Sequence, residues 1–205
     1  MSTSGLEQLR NVMNTLRSPG GCPWDQKQTH ETLVQYLIEE TYELVDAIET
    51  GSKEDIKEEL GDVLLQVFFH SRIAEEDPRD GFSIDEVSRA IAEKLVRRHP
   101  HVFASDTSSD PLAHVEANWQ RAKEQEKART HVLEGVPFSM PAISQFIKIL
   151  KRLENADRTF DVPKPKNQDD HVGWILYHVA QLHRNDRDAD YELRDRVREL
   201  RDSLA

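Results

Sequence analysis

The 205 residues carry a net charge of −11 with 32% charged side chains, which argues against broad binding to a phosphate backbone, since nucleic-acid binders usually show a basic surplus. One cysteine, Cys22, excludes an internal disulfide framework and fits a reducing compartment. No 18-residue apolar run exists, and MSTSGLEQLRNVMNTLR lacks the apolar core of a signal peptide, so a soluble cytoplasmic protein with no membrane partner is expected.

Leu6, Leu9, Met13 and Leu16 recur at helical spacing and predict a first helix over about residues 4–17. SPGGCPWD interrupts it and is expected to turn. A second helix is expected over about 30–50, with Leu33, Leu37, Leu44 and Ile48 as its core stripe and Gly51 at its end. Ser52 can cap a third helix, carrying Ile56, Leu60, Val63, Leu64, Val67 and Phe68 to about residue 76. After the turn DPRDG, SIDE at 83–86 has the form of a capping box and opens a fourth helix with Val87, Ile91 and Leu95.

RRHPHVFASDTSSDP reads as a loop, and Asp110-Pro111 as the start of a fifth helix through about Arg129. AISQFIKILKRLEN is amphipathic, FDVPKPKNQDD at 160–170 is the best linker, and HVGWILYHVAQLHR and YELRDRVRELRDSL are again helical. No window alternates convincingly with period two. The expected fold is all-α, most simply a bundle, with a first helical domain over 1–130, a connecting helix over 131–160, and a linker and short helical segment over 161–205.

The acids are distributed unusually. At ~100° per residue, Glu40 and Glu43 lie roughly 60° apart and flank the Leu37/Leu44/Ile48 stripe; Glu39 falls on the solvent side. Glu59 and Asp62 make a second pair at the same spacing on the next helix. The short Gly51-Ser52 connection makes the two helices antiparallel, so the pairs can converge. Between residues 31 and 62 there are eleven acids and only Lys53 and Lys57 as cations. Four clustered carboxylates cannot all stay ionised without counter-charge, and hard divalent cations such as Mg²⁺ accept such ligands. Solvated, helix-favouring charges remain the competing reading of these residues taken alone. A di-iron bundle is excluded, because no Glu is followed by His three positions later.

Glu40-x-x-Glu43, fifteen intervening residues and Glu59-x-x-Asp62 match an ExxE(12–28)ExxD pattern. Together with GGCPWDQKQTHETL, LIEETYELVDAIE, EELGDVLLQVFFHSRIAEE and KLVRRHPHVF, residues 5–160 resemble the MazG branch of the all-α nucleoside triphosphate pyrophosphohydrolases. The resemblance implies a helical, dimer-forming hydrolase that cleaves nucleoside triphosphates between the α- and β-phosphates, as house-cleaning of nucleotide pools. It also implies Mg²⁺ dependence, with Mn²⁺ as a possible substitute. Carried onto this chain, Glu40, Glu43, Glu59 and Asp62 are implied metal ligands, and Glu39 the implied base acting on the attacking water. Lys94 and Arg98, four apart, and Lys123 are implied phosphate contacts, with Arg97 an alternative to Arg98; Trp119 pairs with Lys123 at the same spacing. Trp24, Gln28 and Trp119 are candidates to contact the nucleoside.

Two other readings stand beside this one: a dUTPase- or dCTPase-like member sharing the metal site, and a non-catalytic helical binding module. The tail departs from the family pattern. Glu192-x-x-Asp195 is half a signature with no acidic pair at the right distance before it, so 161–205 is expected to be a truncated or degenerate second domain.

Overall fold

The computed structural model describes residues 4–103, 126, 131–158 and 160–204, which fall in two compact units, Met1–Phe103 and Ala104–Ala205. Among the described residues every regular element is helical, as expected. The first unit contains α1 (Gly5–Arg17), α2 (Pro23–Lys27), α3 (Val34–Thr50), α4 (Lys53–Ala74), α5 (Ile84–Arg98) and α6 (Pro100–Phe103). The second contains α7 (Ala142–Glu154), α8 (His171–Arg184) and α9 (Ala189–Leu204). No described helix is long and apolar enough to cross a membrane.

Local chemistry accounts for most boundaries in the first unit. The Ser4 hydroxyl accepts from the Glu7 amide at 3.2 Å and starts α1. Gly20 ends the following turn at φ +87°, and a Cβ on Gly21 would lie 2.3 Å from the Thr15 and Leu16 carbonyl oxygens. That close approach lets the Cys22 amide reach Leu16 O at 2.8 Å. The turn expected over SPGGCPWD is thus only partly a turn: Pro23, with its preset φ, nucleates the single-turn helix α2. Helix α3 begins four residues later than expected, because residues 31–33 are held in a turn by Thr29 and Thr32. Ser52 and Asp55 form a reciprocal capping box at α4, and Ser83 and Glu86 form another at α5. The loop expected from Arg97 onward contains one further helical turn, α6.

The core of this unit joins Met13, Leu33, Phe68, Phe69 and Ile84, flanked by Leu9, Leu16, Tyr36, Leu64, Leu65 and Ile73. The expected core stripe is only partly inside. Leu33 is buried, but Leu37 is 36% exposed, Ile48 60% and, on α4, Leu60 52%. Helices α3 and α4 are apolar on more than one face, and periodicity alone cannot say which face meets α1 and α5.

In the second unit, Leu150, Val162 and Ala180 form a small core with Phe146 and Tyr177. The 160–170 segment is irregular, as expected of a linker, yet it is pinned. Val162 is buried, Lys164 lies over the Trp174 ring, and Trp174 Nε1 donates to Asn167 O at 3.2 Å. Glu192 pairs with Arg187 at 2.5 Å and Asp195 is exposed, the environment of ordinary helix charges.

Candidate functional site

The α3–α4 hairpin places Glu40, Glu43 and Glu59 together: one carboxylate oxygen from each lies within 4.8 Å of the others. Asp62, half-buried one turn beyond Glu59, is close enough to act electrostatically on both Glu40 and Glu59. Glu40 and Glu59 hold their protons more tightly than usual. Burial pushes the Glu40 carboxyl up, reinforced by the charges of Asp62 and Glu43 and by a carboxyl–carboxyl hydrogen bond to Glu43. Burial likewise raises Glu59, with Glu43 and Asp62 adding to it. Glu59 Oε2 is shielded from solvent and has no hydrogen-bond partner among the described residues. A shielded oxygen without a donor costs free energy unless a cation serves it, so the donor set fits a hard divalent ion.

Glu39, one residue before this cluster, is exposed, and among the described residues no hydrogen bond holds its carboxylate. The basic candidates on α5 differ sharply. Lys94 is half-buried, Arg97 is exposed, and Arg98 is buried to 6%. Both arginines engage neighbours of their own. Of the two, Arg97 is the one a solvent-borne ligand can reach. Lys123 and Trp119 lie outside the described residues.

Trp24 on α2 is half-exposed and rests edge-on against Tyr36 at 5.7 Å and Phe69 at 6.5 Å. Gln28 spends its amide locally, donating to Trp24 O at 3.1 Å and accepting from the Thr32 hydroxyl at 2.8 Å.

Residues 28–103 match the family model of the MazG nucleotide pyrophosphohydrolase domain. The chain is 39% identical over 182 residues to the nucleoside triphosphate pyrophosphohydrolase of Escherichia coli (strain K12), covering 86% of this chain and 68% of that one. This chain belongs to the MazG family. It is 46% identical over 172 residues to the nucleoside triphosphate pyrophosphohydrolase/pyrophosphatase MazG of Thermotoga maritima, covering 81% of this chain and 63% of its relative. A Mycolicibacterium smegmatis nucleoside triphosphate pyrophosphohydrolase is also 46% identical, with 44% of its length covered. The resemblance read from the motifs is therefore borne out, and so is the expectation of a hydrolase.

Two further pairs stand out in the MazG unit. His30 and His70 stack with parallel rings, their Nδ1 atoms 2.8 Å apart, so one must donate and the other accept. Burial, with His30 beside it, holds the His70 imidazole below its ordinary value. Arg17 and Glu76 form a bidentate ion pair across 59 residues of sequence. Nothing in periodicity marks these pairs, because each is made by a loop or helix end meeting α4. The density of polar residues around CPWDQKQTH was the one available hint.

Proposed function

We propose that the first unit is a divalent-metal-dependent nucleoside triphosphate pyrophosphohydrolase, cleaving between the α- and β-phosphates to give a nucleoside monophosphate and pyrophosphate. The observation that carries this reading is the convergence of Glu40, Glu43 and Glu59, with a shielded Glu59 oxygen that has no partner among the described residues, in a member of the MazG family whose relatives are named nucleoside triphosphate pyrophosphohydrolases. Glu40, Glu43, Glu59 and Asp62 hold the ion, Mg²⁺ in the first instance with Mn²⁺ able to replace it. The ion supplies positive charge against the triphosphate oxygens and acidity to the attacking water.

The chain's own work is positioning and proton handling, as phosphoryl transfer requires. Water attacks the α-phosphorus, the α–β bridging oxygen leaves with pyrophosphate, and Glu39, which no hydrogen bond holds among the described residues, accepts the proton of the water. Lys94 and Arg97, with Arg98 and Lys123, offset the charge of the remaining phosphate oxygens. Trp24, Gln28 and Trp119 contact the nucleoside.

The molecule acts as a homodimer or higher homo-oligomer. Val34, Leu37, Ile38, Tyr42 and Ile48 on α3, and Leu60 and Val67 on α4, are apolar and exposed in the single chain, a face too extensive to leave in water. The physiological role is removal of unwanted triphosphates within the cytoplasm.

Pyrophosphate release from a panel of canonical and altered ribo- and deoxynucleoside triphosphates with Mg²⁺ tests the assignment, comparing wild type with Glu40→Ala and Asp62→Ala. Pyrophosphate formed by wild type and lost in both variants is the expected result. Orthophosphate as product overturns the α–β assignment. Turnover confined to dUTP or dCTP moves the chain to that narrower class, and no turnover favours a binding module.

A further inference from the structure

On the reading above, Trp24 and Gln28 meet the nucleoside, and both belong to the segment 22–33 that joins α1 to α3. We infer that Arg17 is the positioning residue of this segment: it sets nucleoside affinity by fixing α2 from beneath, without touching the ligand.

The geometry is that of a single guanidinium serving three elements. Nε and Nη2 donate to the two carboxylate oxygens of Glu76 at 2.9 and 2.7 Å, which ties the end of α1 to the residues just past α4. Nη1 donates to Asp25 O at 2.5 Å and Gln28 O at 3.2 Å. Those two carbonyls close α2, a five-residue helix. A helix that short does not persist on its own hydrogen bonds, and its last carbonyls need outside donors. A cation at its C-terminal end meets both needs.

The same guanidinium lies 5.5 Å over the Phe69 ring, which also makes a T-shaped contact with Trp24. Arg17 thus sets the floor on which Trp24 rests and the carbonyls that orient Gln28. Its side chain is 3% exposed, so it cannot contact a nucleotide itself. Lysine keeps the charge but not the planar fork, and one ammonium cannot span a carboxylate and two carbonyls in this arrangement.

Glu76 is also met by Arg72 at 3.2 Å, so the carboxylate stays neutralised when Arg17 is shortened. The damage from Arg17→Lys is therefore directed at the segment 22–33.

The inference rests on the proposed activity, and the test separates the two. Full-length wild type, Arg17→Lys, Arg17→Ala and Glu76→Gln are compared at a temperature where circular dichroism shows each to be folded. The readouts are kcat and KM for the triphosphate panel with Mg²⁺, and amide hydrogen exchange along the chain. Arg17→Lys is expected to raise KM about tenfold while kcat stays within about threefold, the pattern of lost uniform binding. Exchange is expected to speed up over 22–33 while α3 and α5 keep their protection. Glu76→Gln, which weakens the other half of the fork, shows the same pattern more mildly and stands in should Arg17→Ala not fold.

An active wild type with KM and exchange unmoved in folded Arg17→Lys overturns the inference alone. So does a fall in kcat at constant KM, which would place Arg17 in the chemical step. A wild type that turns over no triphosphate overturns the proposed activity and this inference together.

Discussion

The MazG unit handles charge in opposite ways at two places on one helix. Near the start of α4, Glu59 joins Glu40 and Glu43, and the carboxyls of Glu40 and Glu59 are pushed up. Just past its end, about 25 Å away at 1.5 Å per residue, Glu76 is clasped by Arg17 and Arg72 and its carboxyl is pulled down. The first arrangement holds like charges together, and on the proposed function a divalent cation would offset their repulsion. The second is complete in itself and holds the scaffold. The difference lies in counter-charge: Glu40 and Glu59 have other acids for neighbours, whereas Glu76 has two arginines.

That contrast can be broken at either place. The largest effect is expected at the open cluster, where Glu59→Ala should lower pyrophosphate release at least about 100-fold, the scale of removing one preorganised electrostatic group; steady-state assays with Mg²⁺ check this. Next is Arg17→Ala, which removes an ion pair buried on the arginine side and partly solvent-screened at Glu76, together with two carbonyl contacts. It should cost about 2–3 kcal/mol by chemical denaturation.

Glu40→Gln sharpens the comparison from the other side. Relieving repulsion between acids should raise the melting temperature of the metal-free protein while abolishing turnover, the trade-off expected where function needs strain. Added Mg²⁺ should raise the melting temperature of wild type and leave that of the variant nearly unmoved.

Glu76 predicts a pH dependence of definite sign. Its folded form prefers ionisation, chiefly through hydrogen bonds from Arg17. Its contribution is therefore full above the ordinary value of 4.5 and is lost as pH falls through the lower folded value. Wild type should lose more stability than Glu76→Gln over that acid range in denaturant melts. The smallest effect is expected at Glu192, paired with Arg187 on the second unit. Glu192→Gln should change stability by no more than about 0.5 kcal/mol and leave activity unaltered, as a surface ion pair does.

Much of the fold was legible before any coordinates. The capping residues Ser52 and Ser83 and the long helices could be read because caps and amphipathic stripes are local features. The pairing of two i, i+3 acidic motifs was legible too, since the Gly51-Ser52 connection leaves two helices little choice but to run antiparallel. Less legible was α2, where Gly and Pro signalled a break but Pro23 also started a helical turn. The burial of Arg98 and the exposure of Leu37, Ile48 and Leu60 were not legible at all. Each depends on which of several apolar faces meets a neighbour, and a helical wheel treats those faces alike.

What this chain's sequence determined by itself was the all-helical class, the family and the identity of the clustered acids, because each is carried by residues within one or two turns of one another. What only the tertiary structure decided was which groups stand alone. Among the described residues Glu59 Oε2 is shielded without a donor, whereas Glu76 is satisfied by an arginine 59 residues earlier. Burial and long-range pairing set the cost of a charge, and neither is a property of local spacing.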